Sequence, residues 1–253
     1  MGFLHHGHVS LMSAAGAAND VVVASVFVNP LQFGANEDVS SYPRDLPSDS
    51  AIAEAAGVDL LFVPSVSEMY PLGAVLSAVS VDQLARLWEG SSRPTHFSGM
   101  ATVVTKLFSI VGPCRAYFGE KDFQQLTIIR RFVSDLSIPV EVVGCPTVRA
   151  DDGLALSSRN SYLEPDERVA AGVLHRALRR GAALIAAGER DPNAIVSTMA
   201  ETVDSEPLAR LDYAAAVDPD TLEVPDRIER TCRLLIAAKI GRSRLIDNLE
   251  VQI

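Results

Sequence analysis

The apolar positions of this chain keep one rhythm for rather more than half its length and then change. Residues 21–28, VVVASVFV, form an unbroken β-branched run closed by Asn29 and Pro30, the pattern of a strand buried on both faces of a helix-covered parallel sheet. Before it, Leu11, Met12, Ala15 and Ala18 fall at helical spacing and predict a helix opening near residues 7–10. A helical stretch over 50–57 leads to a second apolar run, VDLLFVP. HFSGMATVVTKLFSIVGP then predicts a long helix, RAYFGEKD a strand running into a loop, FQQLTIIRRFVSDL a helix and PVEVVGCPTV a strand. Strand and helix thus alternate to about residue 147, which predicts an α/β domain with a doubly wound parallel sheet.

Past Val148 the pattern differs. SRNSYLEPDERVAAGVLHRALRRGAALIAAG is helical, with a proline and acidic residues at its start, and DPNAIVSTMAETVDS predicts a further helix. LDYAAAV, CRLLIAAKI and SRLIDNLEV then alternate with the period of strands. The expected organisation is a first domain over 1–147 and a smaller α+β domain over 148–253.

Composition narrows the function classes. A net charge of −10 disfavours non-specific binding to nucleic acid or anionic membranes, though a local basic pocket is compatible with it. Cys114, Cys145 and Cys232 are odd in number and widely spaced, which predicts reduced thiols of a cytoplasmic protein and not a disulfide framework or a zinc site. No apolar run approaches the roughly 20 residues of a membrane span, and the start lacks a signal-peptide pattern.

Four stretches carry candidate chemistry. In HHGH, His5 and His8 flank Gly7 at the mouth of the first predicted helix, where free N–H groups attract phosphate and imidazoles add donors; a surface cluster or part of a metal site is the plainer alternative. Asn29 and Gln32 follow the first apolar run at its carboxyl end, where open α/β sheets place ligands, although NP and FGAN also suffice to build a turn. In FGEKDFQQL, Lys121 suits phosphate and Asp122 suits Mg²⁺, or the acidic residues simply favour a helix start. Ser157, Ser158 and Arg159 join two hydroxyls to a guanidinium, or cap a linker. Arg93 and His96 in RPTHF offer a weaker, second basic edge for a carboxylate.

In order and spacing, MGFLHHGH, FVNPLQF, YPR, RPTHFSG, FGEKDFQQ, PTVRADDGLALSSRN and LIDN resemble the pantothenate synthetase (pantoate–β-alanine ligase) family, a branch of the HxGH nucleotidyltransferases, over the whole chain. The resemblance implies a Rossmann-like first domain and an ATP-dependent ligase that joins (R)-pantoate to β-alanine through pantoyl adenylate, releasing pyrophosphate and AMP. It implies an ATP site of Met1, Gly2, Phe3, Leu4, His5, His6, Gly7, His8, Gly119, Glu120, Lys121, Asp122, Val148, Leu156, Ser157, Ser158 and Arg159, the last four closing over the nucleotide from the second domain. His5, His8, Lys121, Ser157, Ser158 and Arg159 would be catalytic, Gln32 and Gln125 would bind pantoate, and Gln32 would also meet β-alanine. Mg²⁺ with ATP, a metal role for Asp122, a homodimer and a cytoplasmic location complete what the resemblance implies. His6 stands where the family often has glutamate and Phe123 where it often has tyrosine.

The resemblance also implies a strand ahead of the opening motif, so the first strand is expected to be missing from the given chain. The corresponding expectation is that the 253-residue form is poorly stable or inactive beside an upstream-extended one. Two other readings are another HxGH nucleotidyltransferase with a phosphorylated second substrate, and a truncated nucleotide-binding protein without turnover.

Overall fold

The β-branched run ahead of Asn29 forms a much shorter strand than its composition predicts. In the computed structural model, which describes residues 2–34, 42–73 and 75–253, only Val23–Ser25 is extended and paired. The residues group into two compact units, Met1–Glu120 with Gln124–Pro146, and Lys121–Phe123 with Thr147–Ile253.

The first unit begins with helix α1 (His6–Ala18) and strand β1 (Val23–Ser25), followed by a 3₁₀ turn (Pro30–Gln32), α2 (Leu46–Ala55) and β2 (Leu60–Phe62). Three short helices, α3 (Val66–Met69), α4 (Asp82–Arg86) and α5 (Glu89–Ser92), lead to α6 (His96–Val111), β3 (Cys114–Gly119), a 3₁₀ turn (Glu120–Asp122), α7 (Phe123–Asp135) and β4 (Val140–Cys145). β1 runs parallel to β2, with Ala24 opposite Leu61, and β3 runs parallel to β4, with Ala116 opposite Val142. Among the described residues the parallel strands form two pairs and not one continuous ladder.

This corrects the expectation of a strand buried on both faces: Val21 is 65% exposed and Val23 43%. Among the described residues β1 pairs with β2 alone, and no packed layer covers these two valines. The unit's buried apolar side chains are concentrated instead on α6 and α7. Phe97, Met100, Ala101, Val104 and Phe108 line one face of α6, and the Phe108 ring meets Phe118 and Phe132, each at 6.4 Å between centroids.

In the second unit the chain forms a hairpin over 148–156, a 3₁₀ turn (Ser158–Tyr162), α8 (Pro165–Ala170), α9 (Val173–Ala186) and α10 (Pro192–Asp204). An antiparallel sheet follows, β5 (Ala209–Val217), β6 (Cys232–Ile240) and β7 (Ser243–Val251), in that spatial order. Pro165 opens α8 behind a Glu164–Glu167 capping box, so EPDER does start a helix. β6 departs from the expected alternation, being buried at every position except Lys239, since it is the central strand of three. Leu174, Leu178 and Ile185 of α9 and Ile195, Met199 and Val203 of α10 pack with Leu234 and Ile236 in one core. Each such fully buried side chain contributes about 1.5–3 kcal/mol. The three cysteines are free thiols, two of them buried. Among the described residues, no helix is long and apolar enough to cross a membrane.

Candidate active site

At the mouth of α1 two imidazoles cap the helix reciprocally. His5 is the N-cap in extended conformation; its Nδ1 accepts from the Gly7 N–H (3.1 Å), and its own N–H donates to Nδ1 of His8 (3.2 Å). This is a capping box with histidines where Ser and Glu usually stand. Because each Nδ1 accepts a backbone proton, each neutral ring carries its own proton on Nε2. The rings lie 4.1 Å apart, and His8 is buried. The helix begins at His6, one residue before Gly7, in keeping with the sequence.

The loop ahead of this cap is fixed from a distance. Asp49 of α2, buried, accepts from the N–H of Phe3 (2.9 Å) and of Leu4 (2.6 Å). Phe3 has φ +58°, an unusual conformation for an aromatic residue that this clamp supports. Nothing in the sequence marks Asp49: an acidic residue in the first turn of a helix is ordinary.

Gln32 is held by its backbone, and its side-chain oxygen accepts from Asn29 Nδ2 (3.3 Å). Asn29, also buried, donates to the Gly99 carbonyl (3.1 Å) and accepts from the Tyr70 hydroxyl (2.7 Å). Burial pushes the Tyr70 phenol up to about 12, so it stays a donor at neutral pH. The Gln32 carbonyl accepts from Arg93 Nη2 (3.4 Å) and lies 3.0 Å from His96 Nδ1. Arg93 and His96, expected as a basic edge for a carboxylate, are thus turned onto the backbone of Gln32. A Cβ on Gly99 would lie 2.1 Å from the Leu31 carbonyl oxygen and 2.7 Å from the Gln32 nitrogen, so only glycine lets α6 approach this turn.

The adjacent Gln124 and Gln125 have different tasks. Gln124 is buried, donating to the carbonyls of Leu84 (2.7 Å) and Leu87 (2.8 Å) and accepting from the Glu89 N–H (3.1 Å). Gln125 is only partly buried, and its amide has no partner among the described residues. Gly119 closes β3 and Glu120 opens the 3₁₀ turn that follows, both in the same unit.

In the second unit Lys121 Nζ lies 3.1 Å from the Asp122 carboxylate. Leu156 N–H donates to the Val148 carbonyl (3.0 Å), which brings these two predicted contacts together across the hairpin. Ser157 caps the next turn, its hydroxyl accepting from the Arg159 N–H (3.3 Å), and Ser158 is buried. The hairpin tip is pinned by Asp152, whose carboxyl is held below its ordinary range by Arg168. A Cβ on Gly153, at φ +89°, would fall 2.2 Å from His175 Cδ2. Burial, with the Arg149 guanidinium second, pushes the His175 imidazole down.

Among the described residues no group of three or more His, Cys, Asp or Glu is placed to hold a metal. Asp122, a partly exposed single carboxylate, fits the mode in which Mg²⁺ arrives on phosphate and takes one protein ligand. A cavity of about 300 Å³ in the first unit is walled by Val26, Phe27, Arg44, Asp49 and Pro64; of the predicted site residues, Gly2 alone lines it.

A model of the Pantoate-beta-alanine ligase family matches residues 1–250. The chain belongs to the pantoate–β-alanine ligase family. It is 54% identical over 250 residues to the pantothenate synthetase of Herpetosiphon aurantiacus, covering 98% of this chain and 90% of that one. It is also similar to the crystal structure of the Thermus thermophilus pantothenate synthetase, with a TM-score of 0.96 at 52% identity, covering 100% of this chain and 91% of that one. The Francisella tularensis pantoate–β-alanine ligase, solved in complex with β-γ ATP and β-alanine, matches with a TM-score of 0.82 at 37% identity, over 98% of this chain and 86% of that one.

Within this ligase, Gly2, Phe3, Leu4, His5, His6, Gly7, His8, Gln32, Gly119, Glu120 and Gln125 lie in the first unit, and Lys121, Asp122, Val148, Leu156, Ser157, Ser158 and Arg159 in the second. His6 is exposed on the first turn of α1. Met1 lies outside the described residues. Asp49, Tyr70 and Gly99 belong to the site's framework; Gly99 closes the RPTHFSG stretch, whereas no local pattern marks Asp49 or Tyr70. Each of the three acts on a backbone or side chain at least 40 positions away.

Proposed function

We infer that this chain condenses (R)-pantoate with β-alanine at the expense of ATP, forming pantothenate, AMP and pyrophosphate. A pantoate carboxylate oxygen attacks the α-phosphorus, and the bond to the β-phosphate oxygen breaks to release pyrophosphate. The β-alanine amine then attacks the acyl carbon, loses a proton, and the acyl–oxygen bond to AMP breaks. No covalent enzyme intermediate is needed, so the residues position substrates and stabilise charge.

The observation that carries the assignment of groups is the reciprocal capping of His5 and His8. It puts the proton of each neutral ring on Nε2, giving two donors at a helix N-terminus that suit the charge building as pyrophosphate departs. In this reading Lys121, Ser157, Ser158 and Arg159 contact phosphates, while the backbone around Gly2, Phe3, Leu4, Gly119, Glu120, Val148 and Leu156 lines the nucleotide. The amides of Gln32 and Gln125 hold pantoate, supported by the side chain of Gln125, unpartnered among the described residues, and the backbone clamp on Gln32. Mg²⁺, when bound with the triphosphate, supplies neutralisation of phosphate charge, with Asp122 as its protein ligand. A homodimer and a cytoplasmic location belong to the same reading; the free thiols fit a reducing compartment.

The test follows AMP release with ATP, pantoate and β-alanine. β-Alanine-dependent AMP supports the ligase. ATP binding without turnover, or AMP release indifferent to β-alanine, would refute it.

A further inference from the structure

Two adjacent residues of β7 tie down both second-unit segments proposed to contact phosphate. The Asn248 amide, buried, donates to the backbone carbonyl of Lys121 (2.9 Å), and its Oδ1 accepts from Arg233 Nη1 (3.1 Å). The Arg233 guanidinium lies 3.9 Å from the centre of the Phe123 ring, and Nη2 donates to Glu250 (2.8 Å). The three-residue segment Lys121–Phe123 is therefore gripped at both ends, which is why it groups with the second unit although its sequence neighbours belong to the first.

Asp247, equally buried, makes a bidentate pair with Arg149 (2.6 and 2.9 Å). Arg149 also donates to the carbonyls of Gly153 (3.0 Å) and Asn248 (3.0 Å). Gly153 is at the tip of the 148–156 hairpin, whose second arm runs into Ser157, Ser158 and Arg159. Both side chains spring from a strand in full register with β6, Asp247 opposite Ile236 and Asn248 opposite Leu235. A strand is a more rigid base than the loops it restrains.

We infer that Asp247 and Asn248 are positioning residues for the adenylation step: Asn248 sets the origin of the Lys121 side chain through its carbonyl, and Asp247 sets the hairpin that presents residues 157–159 through Arg149. Neither touches substrate. The inference rests on the assignment of Lys121 and residues 157–159 to phosphate. Its energetic basis is that a displacement of about 1 Å at a phosphate-contacting group costs on the order of 100-fold in rate.

Double-mutant cycles on the full chain test this. Asn248→Asp keeps an acceptor for Arg233 and removes the donor to Lys121; it is expected to lower kcat for AMP formation about 10- to 100-fold with KM for β-alanine nearly unchanged. In a Lys121→Ala background the same substitution is expected to change kcat by less than about twofold, because the group it positions is gone. Asp247→Asn against Arg159→Ala follows the same logic for the hairpin. Should Asn248→Asp fail to fold, Asn248→Ala, which buries no new charge, goes through the same cycle. Losses that multiply in the double variants would overturn the positioning role and leave only a structural one. A silent Asn248→Asp beside a damaging Lys121→Ala would overturn this inference alone, whereas a silent Lys121→Ala brings down the phosphate assignment and the inference with it.

Discussion

Gly99 on α6 and Gln32 on the turn after β1 are in contact only because Gly99 has no side chain. A Cβ there would sit 2.7 Å from the Gln32 nitrogen and 2.1 Å from the preceding carbonyl oxygen. The two are also joined through Asn29, which donates to the Gly99 carbonyl and to the Gln32 side chain. Gly99→Ala must therefore displace backbone, at a cost of about 1–3 kcal/mol. For a chain of this size that lowers Tm by roughly 2–12 °C, taking about 2–4 °C per kcal/mol. With Gln32 proposed to hold pantoate, the displaced turn is expected to raise KM for pantoate more than KM for ATP; an unchanged pantoate KM would overturn that assignment of Gln32.

His8→Ala removes half of a reciprocal cap and, in the proposed function, a donor to the charge that builds as pyrophosphate departs. Loss of one such donor typically costs about 10²–10³ in rate, and loss of a cap about 1 kcal/mol in stability. Pantoate-dependent exchange of pyrophosphate into ATP is expected to fall by that factor with only a small shift in melting. Full exchange activity in His8→Ala would show that the imidazole only caps the helix.

The neighbours Gln124 and Gln125 are predicted to separate cleanly. Gln124→Ala strands two carbonyls and an N–H in a buried site, each costing about 1–3 kcal/mol, and is expected to melt early or fail to fold. Gln125→Ala leaves melting within about 0.5 kcal/mol of the parent and weakens use of pantoate. Thermal melting and pantoate titration of the two variants check both halves.

Asp49→Ala frees the N–H groups of Phe3 and Leu4, and the strained Phe3 loses its clamp. The loop ahead of His5 then loosens, which is expected to raise KM for ATP several-fold and lower Tm. Asp49→Asn, retaining one acceptor oxygen, is expected to fall between Ala and the parent on both measures.

The His175 imidazole is pushed below its ordinary value of 6.5 by burial and by Arg149. The unfolded chain thus takes up a proton first as pH falls. This group's contribution to stability is complete above about pH 6.5 and is lost progressively below it, down through the folded-state value. Urea midpoints measured from about pH 7 to about pH 5.5 are expected to decline, and His175→Gln is expected to flatten that decline; an equal slope in the variant would assign it to other groups.

Periodicity and local chemistry made much of this protein legible in its sequence. The helix mouth at His5 to His8, the long amphipathic α6, the Pro165 start of α8 and the three closing strands all follow from spacings within a few residues, which is the range over which helices, caps and strands are determined. The ordered set of motifs was specific enough to indicate the ligase family.

What the sequence alone did not contain is which of two similar groups meets its surroundings in which way. VVVASVFV has the composition of a doubly covered strand, yet Val21 and Val23 are exposed, because burial depends on neighbours that a local run does not encode. Gln124 and Gln125 are chemically identical, and only the packing of the 84–89 segment consumes one and leaves the other. Arg93 and His96 both meet the carbonyl of a residue more than 60 positions away, and Asp49 looks like a helix-start carboxylate but fixes a loop 45 residues away. Secondary structure and family are written in short-range patterns. The roles of individual polar side chains are decided by tertiary contacts, since a hydrogen bond acts over about 3 Å of space whatever the separation along the chain.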